Sequence, residues 1–130
     1  MGLFDFFSKG KVIYKPSLFF LNHDLKDKYF YRTIQFRYLD DKGSIMAMDN
    51  MSATVYTFDP WPQQIFLSAT GQKTVYEFLI DMSKRYRGQV PELLDKTIIE
   101  ELEKLVNIGR IKLSDEPVKL ATEILLPRNK

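Results

Sequence analysis

From Tyr29 to Leu39 the chain alternates. Ile34, Phe36 and Tyr38 fall on one face, with Thr33, Gln35 and Arg37 on the other. A period of two, with β-branched and aromatic residues on one side, predicts a half-buried strand. Asp40-Asp41-Lys42-Gly43 then supplies a turn whose glycine suits positive φ. Ser44–Met48 returns as a second strand, Asp49-Asn50 turns again, and Ala53–Phe58 makes a third, so a three-stranded antiparallel meander is expected. Upstream, Val12–Phe20 is apolar around Pro16 and reads as an edge strand broken at the proline. Leu21–Lys28 reads as a polar joint.

After Phe58 the period changes. Asp59-Pro60-Trp61-Pro62 stops the sheet, Pro62 suits a first helical position, and Gln63–Ala69 predicts a short helix ending near Gly71. Thr74-Val75-Tyr76-Glu77 fits a capping box, in which hydroxyl and carboxylate satisfy orphan N–H groups. It opens a helix from Val75 to about Arg87, with Val75, Phe78, Leu79 and Met82 on one stripe. Gly88 and Pro91 bracket a break. A third helix runs from about Glu92 or Asp95 to Ile108, with Leu94, Ile98, Leu102, Leu105 and Val106 inward. Thr97-Ile98-Ile99-Glu100 offers a second capping box, and Gly109 stands where a left-handed C-terminal residue is expected. Ile111-Lys112-Leu113 and Leu120–Leu126 flank Ser114-Asp115-Glu116-Pro117 and predict a β-hairpin.

This order predicts an α+β fold: a small antiparallel β-sheet followed by a winged-helix-like three-helix unit with a C-terminal β-hairpin. With 130 residues, one domain is expected over 29–130, preceded by an extension, 1–28, that packs on it or tethers it. The ten Phe and seven Tyr read as core and sheet packing.

A net charge of +2 is too small to imply a nucleic-acid or membrane partner. The chain has no cysteine, which removes disulfides and thiolate metal sites. No apolar run approaches the roughly 20 residues of a membrane span. A secretory pattern is missing, since Asp5 breaks the first apolar stretch and Lys9 and Lys11 follow it. The expected location is cytoplasmic. Leu3, Phe4, Phe6 and Phe7 predict either a docked helical turn or an anchor to a membrane or partner within residues 1–9. Phe6 occupies the position where a myristoylation signal needs Ser or Thr.

Chemistry is sparse. A zinc site needs about four ligands, and His23 is the only imidazole. Asp24 with Asp27, and Asp40 with Asp41, read as solvated turns. His23, flanked by Asn22 and Asp24, has no partner motif for nucleophilic catalysis. Gly71-Gln72-Lys73-Thr74 precedes a helix, but Phe66 stands where a P-loop needs its first glycine. No catalytic residue, metal or cofactor is expected. Trp61, fixed between two prolines, is either a core plug or an aromatic anchor for a partner. In a winged helix the third helix would meet DNA. Here it offers Glu92, Asp95, Glu100, Glu101 and Glu103 against Lys96 and Lys104, and carboxylates oppose phosphate contacts. Nucleic-acid binding would therefore fall to Arg110, Lys112 and Lys119.

Gln72–Leu79, Lys84-Arg85-Tyr86, and Ile99–Leu105 followed by Gly109 and Ile111 carry a resemblance that spans Ile34–Leu113. The stretch resembles the small peptide-carrying protein of pyrroloquinoline quinone biosynthesis and the related recognition elements of ribosomally made peptide systems. The resemblance implies that a leader peptide is bound as an added strand against the third helix. Carried over, the edge is Thr54–Phe58 and the floor includes Glu101, Lys104 and Ile108. The N-terminal extension and the hairpin through Leu126 lie beyond the family pattern, and either would decide whether the groove is open.

The expected function is a non-catalytic peptide- or protein-binding module. Its site is Thr54, Tyr56 and Phe58 on a sheet edge with Glu101, Lys104 and Ile108 on the helix beside it. Exposed edge groups pair readily with an extended peptide, and the acidic helix favours a basic one. The same edge also serves self-association into a homodimer. The alternatives are a winged-helix DNA-binding regulator using Arg110, Lys112 and Lys119, and a structural or assembly subunit held through its first residues.

Overall fold

The computed structural model describes residues 14–128. The alternating run from Tyr29 forms two strands, β1 (Tyr29–Arg32) and β2 (Gln35–Tyr38), which belong to different sheets. β2, β3 (Ile45–Asp49) and β4 (Thr54–Thr57) are the expected antiparallel meander, in the order β2-β3-β4. Its register places Phe36, Ala47 and Tyr56 side by side on one face. β1 pairs instead with β5 (Thr70–Thr74) and β6 (Ile111–Ser114), in the order β5-β1-β6. The ribbon changes partners at Arg32-Thr33. There the Arg32 N–H donates to Ala69 O at 2.8 Å and the Thr33 N–H to Arg110 O at 3.1 Å. The fold is α+β.

Five helices accompany the sheets among the described residues: α1 (Leu18–Leu21), α2 (Pro60–Ser68), α3 (Val75–Ser83), α4 (Leu94–Asn107) and α5 (Thr122–Leu125). The edge strand expected over Val12–Phe20 is not present in its described part. Ser17 accepts the Phe20 N–H and starts α1 instead, which carries Phe20 into the core with no exposed surface. α2 starts at Pro60, earlier than expected. Both Pro60 and Pro62 are tolerated because the first four N–H groups of a helix have no intrahelical partner. The Thr74–Glu77 capping box is formed, with Glu77 N–H to Thr74 Oγ1 at 3.2 Å and Thr74 N–H to Glu77 Oε1 at 2.8 Å. Thr74→Ala is expected to lower unfolding stability by about 1 kcal/mol, measured by urea denaturation; no change would mean that water replaces the cap.

The second capping box is not formed. Thr97 lies inside α4, its N–H bonded to Leu93 O at 2.9 Å. Burial decides this: Leu94 and Asp95 are each only 2% exposed, and the Asp95 carboxylate accepts the Ser17 N–H at 2.7 Å. α4 buries Ile98, Ile99, Leu102 and Leu105 against Phe30, Phe78 and Ile111 in the larger core cluster. A smaller cluster, Phe36, Ile45, Ala47 and Phe66, lies beneath the meander.

The C-terminal hairpin is also corrected. β6 is its first arm, but its partner is β1, and Leu120–Leu126 is not a strand. The chain after Ser114 runs as a strap across the molecule. Val118 N–H donates to Gly71 O on β5 at 2.8 Å, α5 follows, and Arg128 N–H donates to Phe36 O on β2 at 2.8 Å. Gly71, expected at a helix end, sits within β5 at φ +82° because the strap passes directly over it.

Candidate functional site

Sheet edges are where an extended chain finds unpaired backbone groups. In the meander, the outer edge of β2 receives the strap through Arg128, while β4 is the opposite edge. Among the described residues, no backbone hydrogen bond reaches Thr54–Thr57 except from β3. Beside that edge lies a cleft of about 520 Å³, walled by β4, the start of α2 and the C-terminal half of α4.

Five of the six residues assigned from sequence to a peptide site line this cleft: Tyr56, Phe58, Glu101, Lys104 and Ile108. Thr54 does not. Its hydroxyl is drawn into the β3–β4 turn by Ser52, Oγ to Oγ1 2.8 Å. Along β4, Thr54, Tyr56 and Phe58 are half-buried and Val55 and Thr57 exposed, and the cleft takes in the run from Tyr56 onward, Thr57 included. Helical spacing explains the other wall, with Glu101, Lys104, Leu105 and Ile108 on neighbouring turns. Phe58 stacks on the fully buried Phe66, ring centroids 5.0 Å apart, which ties the cleft to the core.

Trp61, with Pro60 and Pro62, lines the cleft as well. It is also half-buried against the larger core cluster, as a core plug would be, while its place in the lining leaves part of the ring facing the cleft. Arg110 lines the cleft too, and its guanidinium lies 3.8 Å from the centre of the Tyr56 ring. Of the three basic residues assigned to nucleic acid, Arg110 and Lys112 stay two positions apart, and Lys119 lies away from both. Lys112 is exposed on β6, and Lys119 follows the strap residue bonded to β5, at the other edge of that sheet.

The cleft is charge-balanced, with Asp59 and Glu101 against Lys104 and Arg110. The Glu101 carboxylate accepts from Lys104 Nζ at 3.3 Å. The acidic surplus of α4 lies at Glu100 and Glu103, exposed and outside the lining, with Glu103 4.0 Å from His23 Nε2. His23 Nδ1 accepts the Leu25 N–H at 3.2 Å and caps a short 3-10 turn over Asp24–Asp27. Lys73 pairs with Asp81 at 3.0 Å, so the Gly71–Thr74 stretch is a strand leading into a capped helix. Among the described residues, no three His, Asp or Glu side chains gather into a metal-binding group. No described helix is long and apolar enough to cross a membrane. Leu3, Phe4, Phe6 and Phe7 lie outside the described residues.

Fold and site together define an α+β domain in which the β4 edge of the meander lies beside a helix-walled cleft. Comparison with protein-family models, with curated proteins and with solved structures finds no match to this chain.

Proposed function

We propose that this chain is a non-catalytic peptide- or protein-binding module that takes an extended segment along β4, against α4. The observation that carries the reading is the asymmetry of the meander. The strap covers the edge at β2, and the edge at β4 faces a cleft with an apolar wall of Phe58, Trp61, Leu105 and Ile108. Main-chain bonds to such an edge supply affinity, and pockets for alternate side chains supply selectivity. The resemblance to leader-peptide recognition elements supports the same geometry. A helix wall beside the edge admits a single strand more readily than the rim of a second sheet, which places a peptide ahead of a homodimer. Lys119 lies at the far sheet edge from Lys112, and Arg110 is stacked on Tyr56 in the cleft; both weigh against the DNA-binding alternative, which needs the three as one phosphate-tracking surface.

The test is an array of extended octapeptides probed with the full chain. Ile108 is 57% exposed, so Ile108→Gln should leave the melting temperature nearly unchanged while weakening captured peptides about tenfold, about 1.4 kcal/mol. Reversing the exposed ion pair, with Glu101→Lys and Lys104→Glu together, should change which peptides bind. Amide exchange over Thr54–Thr57 should slow on peptide addition. Peptides that bind without protecting those amides, or equally well to the Ile108 variant, would remove this edge from consideration.

A further inference from the structure

We infer that the segment bound in this cleft presents a carboxylate to Arg110, next to an apolar anchor seated between Phe58, Trp61 and Leu105. This rests on reading the cleft as a strand-binding groove, and it reverses the expectation of a basic partner. All but one of the charges in the lining are already compensated. Glu101 and Lys104 neutralise one another at 3.3 Å. Asp59 stands at the N-cap of α2, where the helix dipole favours an anion. Arg110 is left over, and among the described residues it forms no ion pair.

The Arg110 side chain is held ready for a ligand. The Tyr56 ring fixes the guanidinium plane at 3.8 Å. One Nη1 bond, to Ile108 O at 3.0 Å, sets its direction, and the buried Nε has no partner. Asp49 feels this charge only as the weakest of its influences. Its carboxyl is lowered first by the Ser52 hydroxyl, then by the backbone N–H groups of Met51 and Ser52, and last by Arg110. A guanidinium already stacked on a ring loses little freedom when it meets a carboxylate, and its fork matches that group with two parallel bonds. Tyr56 is on β4 itself, so the carboxylate belongs to the strand laid along β4, opposite Tyr56. The apolar anchor falls beside Phe58, two residues on, where the cleft is walled by Trp61 and Leu105.

The probe is the acetylated, amidated peptide Thr-Phe-Val-X-Val-Phe-Thr, with X as Asp, Asn or Lys, which puts an aromatic anchor two residues from X on the same face. Trp61 is the only tryptophan of the chain and lines the cleft, so its fluorescence in the full chain reports occupancy directly. The Asp peptide should bind about tenfold more tightly than the Asn peptide, and the Lys peptide should be weakest. Arg110→Gln should bring Asp and Asn to within about twofold of each other, and Arg110→Lys, which keeps the charge without the fork, should restore part of the difference. Equal binding of Asp and Asn by the unaltered chain would overturn the inference, and so would tightest binding of Lys. If none of the three binds while array peptides still bind through Ile108, this partner chemistry is wrong and the groove reading stands. Absence of any Ile108-dependent peptide removes both.

Discussion

Arg32→Met is expected to lower unfolding stability by about 3–5 kcal/mol, because it removes four hydrogen bonds at once, from one buried and three part-buried carbonyls. Arg32 is 3% exposed and has no carboxylate partner among the described residues. Its charge is satisfied by two helix ends. Nη1 donates to Phe66 O at 3.1 Å and Leu67 O at 3.0 Å near the end of α2, while Nε donates to Ile124 O at 2.9 Å and Nη2 to Leu125 O at 2.7 Å in α5. The Phe36 and Phe66 rings lie 4.8 and 5.8 Å from the guanidinium carbon. Helix C-termini carry partial negative charge, so this cation replaces the usual surface lysine with a buried clasp.

Burial pulls the Arg32 guanidinium below its ordinary value, down to about 10, so it stays ionised at neutral pH. Its folded value is below its unfolded one, so the charged form is disfavoured on folding. That cost is constant while both states are protonated and is relieved as pH rises through about 10 toward the ordinary arginine value. Stability near neutral pH should therefore show no titration from this residue. Arg32→Lys should recover only part of the loss, since one ammonium cannot fork between two helix ends. Guanidinium denaturation with amide exchange over the strap is the measurement. A loss under about 0.5 kcal/mol, with strap amides still protected, would mean that water satisfies those carbonyls and the clasp is dispensable.

Local pattern made part of this architecture legible. The period of two in Phe36 and Tyr38 and the turn at Gly43 identified the meander, and the Thr74–Glu77 box identified the start of α3. Gly109, at φ +79°, closes α4 as its position indicated. Pairing partners were not legible. Alternation runs unbroken through Thr33-Ile34, so nothing local separates β1 from β2. β5 is Thr-Gly-Gln-Lys-Thr, with no apolar alternation, and is a strand only because β1 lies beside it. Leu120–Leu126 resembles a strand by composition, yet Arg32 captures two of its carbonyls and the strap winds into α5. In the cleft, the β4 and α4 residues followed from alternation and helical spacing. Arg110 was assigned to another function because its stacking on Tyr56 joins residues far apart in the chain. The acidity of α4 is legible as composition, but which carboxylates face the cleft is not: Glu101 lines it, and Glu100 and Glu103 do not.

Gly71→Ala should be the second severe substitution, and Gly43→Ala separates its two causes. Both glycines hold positive φ, +82° at Gly71 and +95° at Gly43, so either alanine carries left-handed strain of about 1–2 kcal/mol. A Cβ at Gly43 meets nothing within 4 Å. One at Gly71 would overlap the Val118 carbonyl oxygen and come within 2.9 Å of Val118 Cβ. Relief requires the strap to lift, which breaks the Val118 N–H bond to Gly71 O and the Gln72 Nε2 bond to Val118 O, each 2.8 Å. At about 1 kcal/mol for each bond, the total for Gly71→Ala is about 3–4 kcal/mol, roughly two to three times the Gly43 value. Equal losses for the two variants would show that the strap yields without cost at Val118. If the strap does lift, β5 loses its cover first, and β2 follows if Arg32 also releases α5. Exposed edges invite pairing with a second chain, so the Gly71 variant should self-associate with rising concentration in sedimentation while the Gly43 variant stays unchanged. That contrast bears on the cleft as well. A chain that binds peptides at β4 alone needs its other meander edge occupied, and the strap is what occupies it.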